Sequence, residues 1–414
     1  GIDIPNVDTL LLMRPTDSPL LFMQQIGRGL RKSKNKTICT ILDFVGHHRK
    51  EFRYESRFKA LVGGTRKELE RNVQLGFPFL PAGCQINLDF HSQSEILESL
   101  KNSLPTQWTK MVLELRSTGD VPMKEFIEQT GLTLEDIYSN GRSYTELRRA
   151  AGFDLAEMQD KEKTLLRGVG RIRHIDDLAR IRQYRSFLST DDIPKLGSLN
   201  AFDRRSLRML SAVVTSVFKM NGGDEELELI WAFPSVRQEI LWLLDVSSKV
   251  VDVVHREFSD QREIPLRIHA LYSRIEIQAA LDDLKDGRIK EFREGVRFLD
   301  HLKMDVFLFT VDKSSSGFSP TTRYRDYAIS PKLVHWESQS TTSSTSPTGA
   351  RYINHVKNGT TVLMFGRHSK NDDAFWFLGP ARYVSHSGEY PVAFTWQLEY
   401  ELPVALFGIF ASAA

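Results

Sequence analysis

Eight consecutive residues, Gln24-Gln25-Ile26-Gly27-Arg28-Gly29-Leu30-Arg31, have the form Q-x-x-G-R-x-x-R. Arg28 and Arg31 stand three apart, so on a helix both project from one face. Two guanidinium groups at that spacing can grip the oxygens of a triphosphate. Guanidinium is always charged and forks onto phosphate oxygens, so lysine would be a poor substitute. Held against a γ-phosphoryl group, such an arginine stabilises the charge that spreads over it during transfer. Gly27 leaves room for the nucleotide or another backbone to approach. The rival reading is that the pair only solvates a helix end, where the macrodipole favours cations.

Other chemistry is thinner. No G-x-x-x-x-G-K-[ST] loop and no D-E-x-[DH] strand occurs in the 414 residues, so the chain itself offers no cradle for the β- and γ-phosphates and no Mg²⁺-holding strand. Gly168-Val169-Gly170 reads as a turn on a basic segment. Asp326, Glu337 and Gln339 loosely follow a D…E-x-Q nuclease pattern, in which carboxylates hold Mg²⁺ for phosphodiester cleavage. His335, Trp336, Arg351, Tyr352, His355, Trp376, His386 and Trp396 interleave aromatic and basic character, as base stacking or a flipped-base pocket requires. For Trp376 and Trp396 the core of a small sheet is the stronger reading. Cys39 and Cys84 make neither a disulfide framework nor a zinc site, each reads as a buried thiol, and a reducing cytosol fits. No Cys/His pair has metal-ligand spacing, so no metal site is expected.

The elements that would position these residues change along the chain. Val7–Met13 and Thr37–Val45 have strand texture, and between them Ser18 and Pro19 read as an N-cap and first helical residue. A helix over Leu20–Leu30 follows, with Leu20, Leu21, Met23 and Ile26 as candidate buried positions. Strand, helix, strand predicts an α/β unit with a parallel sheet. The chain then reads as helical to about Leu302. Pro122–Gly152 breaks into three short helices compatible with a helix-turn-helix. From about Asp305 the period shifts to short β runs, Val306–Val311, Thr361–Phe365, Phe375–Leu378 and Phe394–Leu398. Turn clusters at Lys313–Pro320 and Ser338–Gly349 separate them, with Ser338–Ser346 expected to be a mobile loop. A small all-β sheet or barrel is predicted there.

A formal net charge of +2 hides three basic runs. The first contains Arg28, Arg31, Lys32, Lys34 and Lys36. The second contains His47, His48, Arg49, Lys50, Arg53, Arg57 and Lys59, and the third Arg167, Arg171, Arg173, Arg180, Arg182 and Arg185. Polyanion binding needs such runs, because neutralised phosphates release counterions. A solvated face with acidic partners such as Asp176 and Asp177 is an equal reading for the third run. No window approaches a membrane span.

Gly1-Ile2-Asp3-Ile4-Pro5 with the VDTLLLMRPTDSP run resembles motif V of superfamily 2 helicases, and Gln24–Arg31 resembles their motif VI at the expected interval. The nearest likeness is to bacterial DEAD/DEAH-box helicases of the type III restriction-subunit kind. By that resemblance Gly1, Asp3, Gln24 and Gly27 line the nucleotide, and Arg28 and Arg31 face the ATP phosphates as catalytic residues. Asp17-Ser18-Pro19 resembles the segment leading into the motif VI helix, which puts Ser18 near bound strand. Leu132–Gly152, His269–Ala280 and Lys332–Gln339 resemble a C-terminal extension of unassigned function found on such helicases.

The expected architecture is therefore multidomain. Residues 1–50 form part of a RecA-like second motor lobe, 51–155 a helical region, 156–304 a helical accessory region, and 305–414 a β-rich module. ATP with Mg²⁺, held mainly by a first lobe lying upstream, is the expected cofactor, and this chain alone is expected to be inactive. Nucleic acid, DNA ahead of RNA, is the expected partner, contacted by Ser18, Arg53, Arg57, Arg171, Arg173, Arg180, Trp336 and Arg351. A cytoplasmic, membrane-free protein is expected. The alternatives are a non-hydrolysing nucleic-acid-binding or defence-complex subunit, and a restriction-type helicase-nuclease.

Overall fold

The computed structural model describes residues 6–13, 19–31, 33, 36–43, 54–62, 66–78, 80, 84–102, 106–153, 155–218, 223–251, 255–258, 263–285, 288–289, 292, 295–312 and 326–411. The chain divides into two compact units, residues 1–121 with 125–137, and residues 122–124 with 138–414. Helical and sheet content are mixed. Among the described residues no helix is long and apolar enough to cross a membrane.

The first unit opens with strand β1 (Thr9–Leu12), helix α1 (Pro19–Gly29) and strand β2 (Thr40–Asp43). The strands pair in parallel, Thr9 opposite Thr40 and Leu12 opposite Asp43, as strand-helix-strand patterning predicts. Phe22 and Ile26, four apart on α1, are buried together with Leu12, and Ile41 packs against them. The predicted buried face is therefore rotated. Ile26 is inside, but Leu21 and Met23 are 52% and 38% exposed, because Phe22 sets the phase. Helices α2 (Tyr54–Val62), α3 (Arg66–Leu75) and α4 (Phe90–Asn102) follow, with Leu69, Val73, Phe77 and Ile96 as a separate small core. Helix α5 (Trp108–Thr118) comes next.

The three short helices expected over 122–152 form as α6 (Met123–Thr130), α7 (Leu134–Ile137) and α8 (Tyr144–Ala150). Gly131 turns the chain after α6 at a φ of +71°. Ser143 caps α8 by accepting from the Glu146 amide.

In the second unit, helices α9 (Asp160–Val169), α10 (Leu178–Leu188), α11 (Ala201–Thr215), α12 (Asp224–Trp231) and α13 (Pro234–Val250) precede the main sheet. Gly168 belongs to the end of α9 rather than to a free turn. A Cβ there would lie 1.9 Å from the Val214 carbonyl oxygen of α11, so only glycine allows the two backbones this approach. Next come a ribbon of β3 (Arg256–Glu257) and β4 (Arg267–Ile268), then β5 (Leu271–Ser273), helix α14 (Arg274–Ala280), a second ribbon of β6 (Leu284–Lys285) and β7 (Arg288–Ile289), and β8 (Val296–Leu299). The chain continues through β9 (Met304–Asp312), β10 (Tyr327–Ser330), β11 (Leu333–Glu337), α15 (Pro347–Ile353), β12 (Thr361–Ser369), β13 (Ala374–Ser387), β14 (Ala393–Leu398) and α16 (Val404–Ala411).

Eight strands form the main sheet in the order β10-β11-β14-β13-β12-β9-β8, with β5 added on β13. Strands β9 and β12 are parallel, and the other pairs are antiparallel. Successive side chains of β9 serve opposite faces. Met304, Val306 and Leu308 enter one core with Leu363, Phe365, Phe375 and Phe377. Phe307, Phe309 and Val311 enter the other with Val362, Met364, Leu378, Trp396 and, from α16, Leu406 and Phe410. Burial on both faces explains why these strands read as continuous apolar runs.

This corrects the expectation of a separate small all-β module starting at Asp305. The first core includes Met209 and Ala212 of α11, and strands begin well before residue 305. The early strands are two to four residues long, too short to display alternation in sequence. The Ser338–Ser346 stretch is also packed rather than loose. Ser338, Thr342 and Ser343 are buried, the Val392 amide donates to the Ser338 hydroxyl at 2.9 Å, and Ser346 caps α15. The Lys313–Pro320 cluster lies outside the described residues.

Candidate functional site

Helix α1 divides into two stripes. Phe22, Ile26 and Gly29 are buried, whereas Gln24 and Arg28 are exposed, as is Arg31 two residues past the helix end. At about 100° per residue Gln24 and Arg28 are centred roughly 150° round the helix from the buried set. The stripe predicted to meet phosphate is thus held outward by the stripe that anchors the helix. Gly29 seats that anchor, since a Cβ there would come within 2.5 Å of Leu10 and 2.7 Å of the Cys39 sulfur. The Lys36 ammonium donates to the carbonyls of Gly29 and, at 3.3 Å, of Arg31, closing the carbonyl end of the helix. Gly27 is exposed with nothing within 4 Å of a would-be Cβ, so the flank beside Arg28 is open.

Gly1, Asp3, Ser18 and Arg53 lie outside the described residues. Arg57 is removed from the surface reading. Its side chain is 4% exposed, it ion-pairs with Asp43, and its guanidinium lies 4.1 Å from the centre of the Phe22 ring. Cys39 is half-buried, and Cys84 is exposed rather than buried as expected.

The arginine run of the second unit splits by environment. Arg167, Arg171, Arg182 and Arg185 are exposed. Arg171 donates to the Ser216 hydroxyl at 2.6 Å, and Arg173 reaches Asp373 at 3.5 Å. Arg180 was expected on a phosphate-binding face, yet it is 4% exposed and sits 4.3 Å above the Tyr272 ring. It donates to the Leu271 carbonyl at 2.9 Å and to Glu276 at 3.2 Å.

Glu276, fully buried on α14, is the centre of a polar cluster that sequence inspection missed. His174 meets its carboxylate at 2.6 Å through Nε2, and the Arg171 carbonyl at 3.0 Å through Nδ1. The Ser273 amide and hydroxyl each donate to Glu276 at 2.7 Å in a capping box. Burial alone would push this carboxyl up, but the charge and hydrogen bond of His174 and the charge of Arg180 prevail and hold it down at about 2. The capping box was legible as Ser273-x-x-Glu276; its partners, 96 and 102 residues away, were not.

The aromatic and basic cluster of the last segment is mostly interior. Trp336 is 4% exposed and stacks on Phe307 with centroids 4.2 Å apart, so it cannot also offer a face to a base. Tyr352 and Trp396 meet the same Phe307 ring edge-on. Arg351 forks onto Asp305 with two 2.9 Å bonds. His355 is buried, accepts from the Tyr383 amide at 3.0 Å and faces the Thr360 carbonyl at 3.2 Å through Nδ1. Burial lowers its basicity. His386 is exposed and Trp376 half-buried. Of the nuclease-like residues, Asp326 is buried and accepts from the Glu337 amide at 3.0 Å. Among the described residues no three His, Cys, Asp or Glu side chains cluster as a metal would require.

Residues 266–410 match a family model described as "Domain of unknown function (DUF3427)". Separately, a stretch of 46 residues is 54% identical to "Putative ATP-dependent helicase IRC3" of Saccharomyces cerevisiae, covering 11% of this chain and 7% of that protein. Together these likenesses point to a helicase-associated region.

Proposed function

We propose that the chain is the C-terminal part of an ATP-dependent nucleic-acid motor of superfamily 2, its second RecA-like lobe contributing Arg28 and Arg31 to the nucleotide site. The observation that carries this reading is the outward placement of Gln24 and Arg28 on a helix set between two parallel strands, with Arg31 exposed two residues past its end. Guanidinium groups held there meet a γ-phosphoryl group from the side opposite a phosphate cradle. The residues fit ATP only from that side. The cradle and the Mg²⁺ ligands belong to an upstream lobe, and bound ATP with Mg²⁺ supplies the phosphoryl group to be transferred. Arg28 and Arg31 orient the phosphates and offset developing charge. DNA is the proposed partner, with exposed arginines of the second unit supplying phosphate contacts.

The reading is tested in the protein joined to its upstream lobe. Arg31→Ala lowers nucleic-acid-stimulated kcat by on the order of 10³, with a smaller change in ATP affinity. If Arg28→Ala and Arg31→Ala each change kcat by less than about threefold, neither acts in the transition state and the motif assignment fails. The clustered-carboxylate nuclease alternative finds no supporting arrangement among the described residues.

A further inference from the structure

A cavity of about 330 Å³ lies in the second unit between the β3–β4 ribbon and the segment after β14. His255, Arg256, His269, Lys332 and Tyr400 are among its walls, with Ile268 as an apolar surface. Two observations set it apart. His269 holds a left-handed backbone, φ +69°, which L side chains rarely adopt, and its amide donates to the Phe377 carbonyl at 2.6 Å. The second is that His269 Nε2 and His255 Nδ1 are both buried with no hydrogen-bond partner in the protein. Such atoms are costly to leave unmatched.

The surroundings keep these rings in place. His255 Nε2 lies 3.1 Å from the Asp176 carbonyl, leaving Nδ1 as the free position. Gly379, at φ +96°, lets the walls close in, since a Cβ there would lie 3.1 Å from Ile268 and 3.2 Å from Tyr400. Burial, with His255 and Arg256 nearby, holds the His269 imidazole down at about 4, so it is neutral near pH 7.

We propose that this cavity binds a single nucleotide unit. Tyr400 and the imidazoles offer flat surfaces and ring nitrogens to a base, and Arg256 and Lys332 offer charge to its phosphate. Glu399 and Glu401 also line the cavity and suit exocyclic amines; Glu401 holds Lys332 at 3.3 Å. The volume falls in the range of small-molecule sites. The choice of nucleotide over other phosphorylated ligands rests on the motor reading. The cavity itself does not.

The test titrates the full chain with each of the four deoxynucleoside monophosphates, and with inorganic phosphate, by calorimetry. At least one nucleotide binds at one site, about tenfold tighter than phosphate. His269→Asn keeps a residue that tolerates the left-handed backbone, and Lys332→Ala removes an exposed side chain. Each weakens binding about tenfold with the melting temperature unchanged. No saturable binding, or both variants within about twofold of the parent, overturns the proposal. A hairpin with one unpaired base that competes with the mononucleotide identifies a strand as the source, and a mononucleotide not displaced by it identifies the free ligand. Arg31→Ala leaves all these affinities unchanged, so failure of the motor reading registers separately.

Discussion

Replacing Glu276 by Gln removes one negative charge from a site where it faces His174 at 2.6 Å and Arg180 at 3.2 Å. The carboxyl lies at about 2 against an ordinary 4.5. At about 1.36 kcal/mol per pH unit, that difference corresponds to on the order of 3 kcal/mol. An independent route agrees, since removing one partner of a buried ion pair costs about 3–5 kcal/mol by leaving the other charge uncompensated. For a unit of this size each kcal/mol shifts melting by about 2–4 °C, so E276Q at pH 7 melts about 6–12 °C below the parent. Five of the six tryptophans, Trp231, Trp242, Trp336, Trp376 and Trp396, lie in the second unit, so fluorescence reports its unfolding. The pH dependence adds a signature. Because the folded value is lowered, the stabilisation is complete above 4.5 and is lost as pH falls toward 2. The parent therefore loses its advantage over E276Q across that window. A variant melting within about 2 °C of the parent at pH 7 would falsify the assignment of Glu276 as the centre of the cluster.

Other outcomes follow from geometry already described. Gly168→Ala drives a methyl group to within 1.9 Å of a backbone oxygen, and despite the helix preference of alanine it destabilises the second unit by about 1–3 kcal/mol in a urea titration. Trp336→Ala costs about 3–5 kcal/mol of stability. A loss of nucleic-acid affinity with an unchanged melt would instead return Trp336 to a stacking role. Replacing Arg167, Arg171 and Arg182 together flattens the slope of log K against log salt by about 0.9 per lost duplex contact. Arg180→Ala leaves the slope unchanged and lowers the melting temperature; the reverse pattern would show that the buried arginine had been misjudged.

How far the sequence could be read depended on the range of the interactions. The β1-α1-β2 order and the three short helices over 122–152 are local and were read directly, whereas the caps at Ser143 and Ser273, equally local, were passed over. Exposure of Arg28 agrees with the helical reading of its segment, but the i,i+3 spacing does not place Arg31 beside it, because the helix ends at Gly29. Burial of Arg180 was not legible, because it looks like its exposed neighbours and differs only in folding beneath Glu276. Trp336 misled for a related reason. On β11 alternate residues Val334 and Trp336 turn inward, but His335 beside Trp336 suggested an aromatic and basic surface for stacking. Strand β13 was anticipated only over Phe375–Leu378, because its second half is exposed and polar although it pairs with β14 to Ser387.

The Glu276 cluster also limits how this region can be rearranged between proteins. The segment matching the family model begins at residue 266, whereas His174 and Arg180 lie upstream of it. Transplanted alone, that segment would carry a fully buried carboxylate to its new host without either counter-charge. It would also lack Met209 and Ala212, which complete the core on one side of the sheet. A recipient must bring its own cation and apolar surface to the same place, so a cut that keeps the cluster whole lies upstream of His174 rather than at residue 266.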